Sequence, residues 1–388
     1  MEALLIGYEG HLLWQLPALL SRVGFTVDVI SNSTYLKRSQ YIRSVFNIPH
    51  PSSATNEIIQ QLDKKNYSWI IITQDQILQE VVNSNISDEI KCRILPVTSS
   101  LHFNHISSKI GLSHTLCKAG ILTPKFRVIT KLSEAEQALH ELSPPVFFKV
   151  DASCGGRGVY ELSHKQQCKK LIKLLKQGPM LAQEKIFGTE IDLSALFFEG
   201  KLIHFSYSIP VKSVYNHGPS SLRYYFPLKY VDPEIFQELT QLGKALGANG
   251  FVTISCIERP DKKRFYIEAD MRPNAWVDFT QFIGDDAAPM IRAWLASNST
   301  LTPSTESKDR DLSTFKPILI PHFLRTPLLS LLINHNKVWK YIPNQDTALI
   351  SILLFKKIIQ IPFLEYIRNF IPQNLRQQLK RYLRFYII

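Results

Sequence analysis

Lys149-Val-Asp-Ala-Ser153-Cys-Gly-Gly-Arg-Gly158 is the stretch on which the reading of this chain turns. Ahead of it, Val146 to Val150 is a short apolar run with the composition of a strand. Within it stand Ser153, Gly155, Gly156 and Gly158, and glycines of this kind let backbone N–H groups approach an anion closely. Lys149, at the strand end, supplies a point charge that can reach a phosphate. A plain hairpin turn would be written the same way. The P-loop of the strand–GxxxxGK[ST]–helix type is excluded, because no Gly-Lys-Ser/Thr follows. Cys154 reads as a small tolerated residue, since no histidine is placed to activate its thiol.

Two further stretches change the weight of the first. In Glu268-Ala-Asp-Met-Arg272, residues two apart on a strand share a face, so Glu268, Asp270 and Arg272 would line one surface. Two carboxylates and a guanidinium make sense together if the acids hold Mg2+ and the arginine answers the charge of a transferring phosphate. The flanking Phe265-Tyr-Ile, Ala269 and Met271 favour a buried strand over an exposed edge with alternating charge. In Gln183-Glu-Lys-Ile-Phe-Gly-Thr-Glu190, followed by Asp192, one acid sits at a strand end and others follow a short connection. A surface hairpin would look the same if this stretch stood alone.

Taken in order, these stretches resemble the ATP-grasp superfamily over roughly Lys109 to Asp286, about half of the chain. The resemblance implies that Lys109 and Lys149 contact nucleotide phosphates, and that Ser153, Gly155, Gly156 and Gly158 form the lid over them. It implies that Glu184, Lys185, Ile186 and Phe187 form the adenine hinge and that Glu190 is the ribose acid. Glu268 and Asp270 match the metal-binding pair, with Arg272 beside the reacting phosphate; Arg272 and Lys149 are the expected catalytic residues. ATP and Mg2+ follow as expected cofactors, with Mn2+ able to substitute. Two departures stand out. Asp270 replaces the family's usual Asn, and Thr253-Ile-Ser-Cys-Ile257 lacks the acid expected about a dozen residues before Glu268. Either Glu258 is reached by a register shift, or metal binding relies on Glu268 and Asp270.

Around this core the chain divides into an expected N-terminal doubly wound parallel α/β domain (1–100), a two-subdomain ATP-grasp fold (101–296), a polar linker (297–316) and a basic helical C-terminal region (317–388). In the first, strands are expected at Ala3 to Gly7, Phe25 to Ile30, Trp69 to Thr73 and Arg93 to Val97, with a helix over Leu12 to Val23 that Gly24 stops. Gly7-Tyr-Glu-Gly10 lacks the GxGxxG fingerprint of a dinucleotide site. A helix is expected over Asn104 to Gly120. Antiparallel strands are expected at 125–129, 146–150, 180–184, 191–198, 201–209, 251–257 and 264–269, with helices at 134–142 and 233–246.

The net charge is +12, which suits anionic partners without choosing among them. Five scattered cysteines argue for a reducing compartment. No basic leader and no apolar run of spanning length are seen, so a cytoplasmic location is expected. From Asn334 onward nine basic side chains face only Asp346 and Glu365. Leu375, Leu379, Tyr382 and Tyr386 recur at helical spacing there. Such a helix would dock on the protein body, on a second subunit in a homo-oligomer, or at the periphery of an anionic membrane. No nucleic-acid motif accompanies the charge, and nucleic acid is not expected as a partner.

Arg223, in a loop at Asn216–Tyr225, is a candidate for a phosphate or substrate carboxylate. Asn274 and Trp276 are candidates to border the second-substrate pocket, and His217 is a weaker one. The resemblance implies an ATP-dependent ligase (EC 6.3-like) that joins a carboxylate substrate to an amine substrate through an acyl-phosphate intermediate. A phosphotransferase and a nucleotide-binding scaffold with little catalysis are the alternatives.

Overall fold

The computed structural model describes residues 1–8, 12–153, 155–156, 158–297, 316–325, 339–341 and 346–359. The polar linker and the amphipathic stretch from Leu375 therefore lie, the former almost wholly, outside the described residues. No helix among those described is long and apolar enough to cross a membrane.

The N-terminal unit is a parallel sheet in the order β3-β2-β1-β4, from β1 (Glu2–Ile6), β2 (Thr26–Ile30), β3 (Ile42–Phe46) and β4 (Trp69–Ile72). Ala3, Leu4, Leu5 and Ile6 are all fully buried, as expected of a parallel strand covered on both faces. The helix Leu16–Val23 ends at Gly24, whose N–H donates to Leu20 O and Ser21 O in a left-handed cap. The expected strand over Arg93 to Val97 is instead the end of a helix, Asp88–Ile94. Ser87 caps that helix and Asp88 and Glu89 fill its first turn, so capping overrides the β-branched residues that follow. Only Val97 pairs, as a bridge to Ala248.

A second correction moves a site residue. The expected helix over Asn104 to Gly120 is broken: a 3-10 turn spans Ser100–His105, Ser107 takes a positive φ of 55°, and the α-helix is Lys109–Lys118. Ser108 caps it by accepting from Gly111 N, so Lys109 stands at the first turn.

Two antiparallel sheets follow. The smaller has the order β5-β8-β6-β7, from β5 (Phe126–Ile129), β6 (Val146–Val150), β7 (Val159–Leu162) and β8 (Met180–Glu184). With the helix Leu132–Glu141 it encloses a core of its own, centred on Phe148 and Leu139. The larger has the order β13-β12-β9-β10-β11-β14, from β9 (Thr189–Phe198), β10 (Lys201–Ser213), β11 (Ser220–Phe226), β12 (Gly250–Glu258), β13 (Arg264–Asp270) and β14 (Ile318–Pro321). Its core is continuous with that of the N-terminal unit: Leu4 and Ile6 belong to the same cluster as Ile191, Leu193 and Ile254. Residues 185–188 are the connection from the small sheet to the large one.

β11 and β14 change the sequence reading. Arg223 lies on a strand rather than in a loop, and Ile318–Pro321 joins the edge of the large sheet rather than opening a helical region. An arginine inside β11 and the polar tract ahead of β14 conceal both strands, which are stabilised by pairing across the sheet. A helix does follow, at Thr347–Ile359.

The helix Pro233–Leu246 buries Ile235, Leu239, Leu242, Gly243 and Leu246 against this sheet. A Cβ on Gly243 would lie 2.5 Å from the Phe197 ring and 2.7 Å from Gly200 O. Gly→Ala in a helix gains about 1 kcal/mol from propensity, whereas overpacking against a buried ring and a backbone carbonyl costs about 1–3 kcal/mol. Gly243→Ala is expected to destabilise the protein on balance, read as a lowered urea midpoint; a raised midpoint would show that the sheet yields.

Candidate functional site

The site begins with strand register. β12 pairs with β13 as Thr253↔Asp270 and Ser255↔Glu268, and with β9 as Ser255↔Asp192 and Ile257↔Glu190. The pleat therefore puts Glu190, Asp192, Ser255, Glu268 and Asp270 on one face of the large sheet. A bulge between Ser255 and Cys256 does not bring Glu258 to that face. Glu258 pairs with Arg264 at the far end of the hairpin, and its carboxylate receives Arg264 Nε at 2.9 Å and Lys262 Nζ at 3.1 Å. Of the two readings open in the sequence, the register shift to Glu258 is thus set aside. Serine stands opposite Glu268, and further acids come from β9 instead.

Arg272 is the hub of the acidic edge. Its Nε donates to Asp75 Oδ2 at 2.8 Å and its Nη2 to Asp270 Oδ2 at 2.8 Å. Asp75 begins the helix Asp75–Asn83 of the N-terminal unit, 197 residues away in sequence. The sequence reading missed it; the available signal was an acid just beyond the carboxyl end of β4, where open α/β sheets place their sites. The Asp270 carboxyl is pushed up to about 8 by burial, and further by Glu268 and Asp75, against the pull of Arg272. Burial and Asp192 raise Glu190 to about 7.

Opposite lie the basic groups. Lys149 on β6 is buried and donates to Gln183 Oε1 on β8 at 2.7 Å. Burial lowers it to about 8, with Glu268 and Glu190 pulling it up and Lys109 pushing it down. Lys109 Nζ donates to the Ser153 carbonyl, and Ser153 Oγ to Val150 O at 2.8 Å. Asp151 accepts from Ile110 N at 2.8 Å and from Ser108, which fastens the loop to the start of the Lys109 helix. β6 and β7 pair as a hairpin, so the glycine stretch is a hairpin connection. Gly155, Gly156 and Gly158 all have positive φ, a conformation that an ordinary hairpin turn of other residues would resist.

The loop meets the β10–β11 connection. Tyr215 Oη donates to Gly155 O at 2.7 Å, and His217 stands edge-on to Phe147 at 5.6 Å. A cavity of about 490 Å3 opens between these elements and the sheet, bordered by Gly155, Gly156, Glu190, Glu268, Asp270 and Arg272. Arg223 and Asn274 border it as well. Arg223 is committed: it pairs with Asp192, donates to Ser220 Oγ at 2.6 Å and lies over Trp276 at 4.8 Å. Asn274 donates to Ser194 Oγ at 2.8 Å, and Trp276 both borders the cavity and is core. The expected hinge, Glu184 to Phe187, lies apart from this cavity. Lys185 pairs there with Glu161 and sits over Phe187, which is exposed. Among the described residues no group of three or more His, Cys, Asp or Glu forms a metal cage. A Cβ on Gly156 would fall 1.8 Å from His217 O, at φ 74°. Gly156→Ala is expected to separate the two loops and to speed backbone hydrogen exchange at 153–158 and 214–219 about tenfold, since left-handed strain alone costs about 1–2 kcal/mol; unchanged exchange at both would refute the contact.

No protein-family model matches this chain, and no curated protein matches it. Solved structures do. The N5-carboxyaminoimidazole synthetase of Staphylococcus aureus complexed with ADP aligns over 86% of this chain and 85% of its own, at 14% identity and a TM-score of 0.63. The biotin carboxylase domain of Hydrogenobacter thermophilus 2-oxoglutarate carboxylase, crystallised with MgADP, ADP and bicarbonate, aligns over 78% and 71%, at 15% identity and a TM-score of 0.62. An L-amino acid ligase from Bacillus licheniformis aligns over 75% and 73%, at 14% identity and a TM-score of 0.55. With a parallel N-terminal unit, two antiparallel sheets and a cleft between a glycine hairpin and an acidic strand, the chain shares the fold of these solved structures, as the resemblance to the ATP-grasp superfamily implies.

Proposed function

We propose that this chain is an ATP-dependent ligase that joins a carboxylate to an amine, with Mg-ATP in the cleft between the β6–β7 loop and β13. The observation that carries the reading is the nearness of Lys149 and Lys109 to Glu268 and Asp270, beside a cavity that the left-handed Gly155 and Gly156 border. Cations and backbone N–H groups on one wall suit phosphate oxygens, and carboxylates on the other suit a divalent ion. That a like-folded biotin carboxylase domain was crystallised with MgADP and bicarbonate supports nucleotide binding in this reading.

In this reading the adenine extends beyond the cavity to the connection at Glu184, Lys185, Ile186 and Phe187, and Glu190 on the cavity wall accepts from a ribose hydroxyl. Glu268 and Asp270 would hold Mg2+, or Mn2+ with the same oxygen donors, since two carboxylates two residues apart on β13 share a face and suit a hard cation. The ion, when bound, neutralises charge on the phosphate oxygens. Lys149 and Arg272 hold positive charge against the transferring phosphoryl group, so the protein works mainly by positioning and neutralisation. A substrate carboxylate oxygen attacks the γ-phosphorus and the bond to ADP breaks. The amine nitrogen then attacks the acyl carbon, phosphate departs with the bonding pair, and the amine proton is released.

Lys149→Met and Glu268→Gln are each expected to slow ADP release about 100-fold or more while leaving the circular-dichroism spectrum unchanged. Unchanged turnover in both would sink the proposal. Product analysis assigns the outcome: a new amide supports ligation, and a stable phosphorylated product means phosphotransfer instead. Asp270 must lose its proton to bind a cation. Apparent Mg2+ affinity should therefore rise with pH through a range above that of an ordinary carboxylate, where Asp270 loses its proton. Titrations of Asp270→Asn should show no such slope; a slope equal to that of the unaltered protein would exclude Asp270 as a ligand.

A further inference from the structure

Arg223, Arg272 and Arg325 all border the cavity, and they differ in what answers their charge. Arg223 is paired with Asp192, and Arg272 with Asp75 and Asp270. Arg325 has no carboxylate within ion-pair distance among the described residues. Its side chain donates to the Ser220 carbonyl at 3.3 Å, a single hydrogen bond from a group with five donors. Burial first, then the nearby guanidiniums of Arg223 and Arg272, lower its pKa to about 10. Arg325 is part-buried at the cavity edge, and a part-buried cation with no near counter-charge loses hydration that one long hydrogen bond does not replace.

The backbone delivers this side chain by defined pairing. β14 adds to β11 in the register Leu222↔Pro321 to Tyr225↔Ile318. His322 N then donates to Ser221 O, and Arg325 N to His322 O, each at 2.9 Å. A turn closed on the sheet edge thus holds Arg325 at the cavity wall.

We infer that Arg325 anchors an anionic group, a carboxylate or a phosphate, carried by the second substrate. The inference rests on the proposed function for the word substrate; the anion site itself stands on the cavity and the unanswered charge. A planar guanidinium matches either group by paired hydrogen bonds. It also accounts for a C-terminal segment that completes the cavity, because part of the pocket's charge comes from beyond the acidic strand.

The test titrates the full chain, in saturating Mg2+ and a non-hydrolysable ATP analogue, with inorganic phosphate, L-alanine and L-alaninamide. Calorimetry and the thermal midpoint are the readouts. Phosphate or alanine is expected to bind, and the amide is not; which of the two binds identifies the source of the anion. Arg325→Met should weaken that binding about tenfold or more, Arg325→Lys should be intermediate, and the free Met variant should melt no lower than the unaltered protein. If the Met variant does not fold, the Lys variant decides by the same comparison. Equal anion affinity in variant and unaltered protein overturns the inference, as does the absence of any response to either anion. A variant that melts lower yet binds the anion as before assigns Arg325 a structural role. The response of the unaltered protein to nucleotide alone is a separate reading. Its absence removes the proposed ATP site, while the anion titration repeated without nucleotide still decides Arg325.

Discussion

Arg272 is shared between Asp75 of the N-terminal unit and Asp270 of the large sheet, and much of the site depends on that sharing. A buried guanidinium is tolerated only where carboxylates answer it with good geometry. Here one carboxylate comes from the helix after β4 and the other from the same strand end, each at 2.8 Å. The N-terminal unit is therefore joined to the acidic strand by charge as well as by their continuous apolar core. The ion pair also sets where β13 ends relative to the cavity, and so where Glu268 and Asp270 are presented.

Beyond that edge the acids of the large sheet lie together, with Arg272 and Arg223 paired among them. Glu190, Asp192, Glu268 and Asp270 share the sheet face, while Lys149 and Lys109 approach from the smaller sheet and the helix start. Each side perturbs the other: burial lowers Lys149 while Glu268 and Glu190 pull it up, and burial raises Asp270 against the pull of Arg272, with Glu268 and Asp75 adding to the rise. Asp192 belongs to this face but is committed to Arg223 and to Ser255 Oγ at 2.6 Å, so it organises the floor rather than remaining free for a ligand.

The small sheet stands somewhat apart. Its core is separate from the one shared by the large sheet and the N-terminal unit. Its contact across the cavity runs through the glycine loop, where Tyr215 and His217 reach Gly155 and Phe147. Gly156 permits that approach because any side chain would collide with the His217 carbonyl. The loop's glycines thus serve both its own left-handed backbone and its fit to the β10–β11 connection.

Local chemistry was enough to read much of this from the chain. Strand spacing put Glu268 and Asp270 on one face, with Arg272 in a bend just past the strand rather than on it, the glycines marked the loop after Lys149, and the helix ends at Gly24 and Leu246 followed from periodicity and capping. Those features depend on residues a few positions apart, so their physics is written in sequence. The start of the Lys109 helix was misread because Ser108 capping and the positive φ of Ser107 interrupt an otherwise helical pattern. Asp75, the burial of Arg223 on β11, the pairing of Asp192 and the arrival of Arg325 on β14 were decided only by tertiary structure. Each depends on groups brought together from 31 to 197 residues apart, and no local spacing encodes which distant charge a buried side chain will meet.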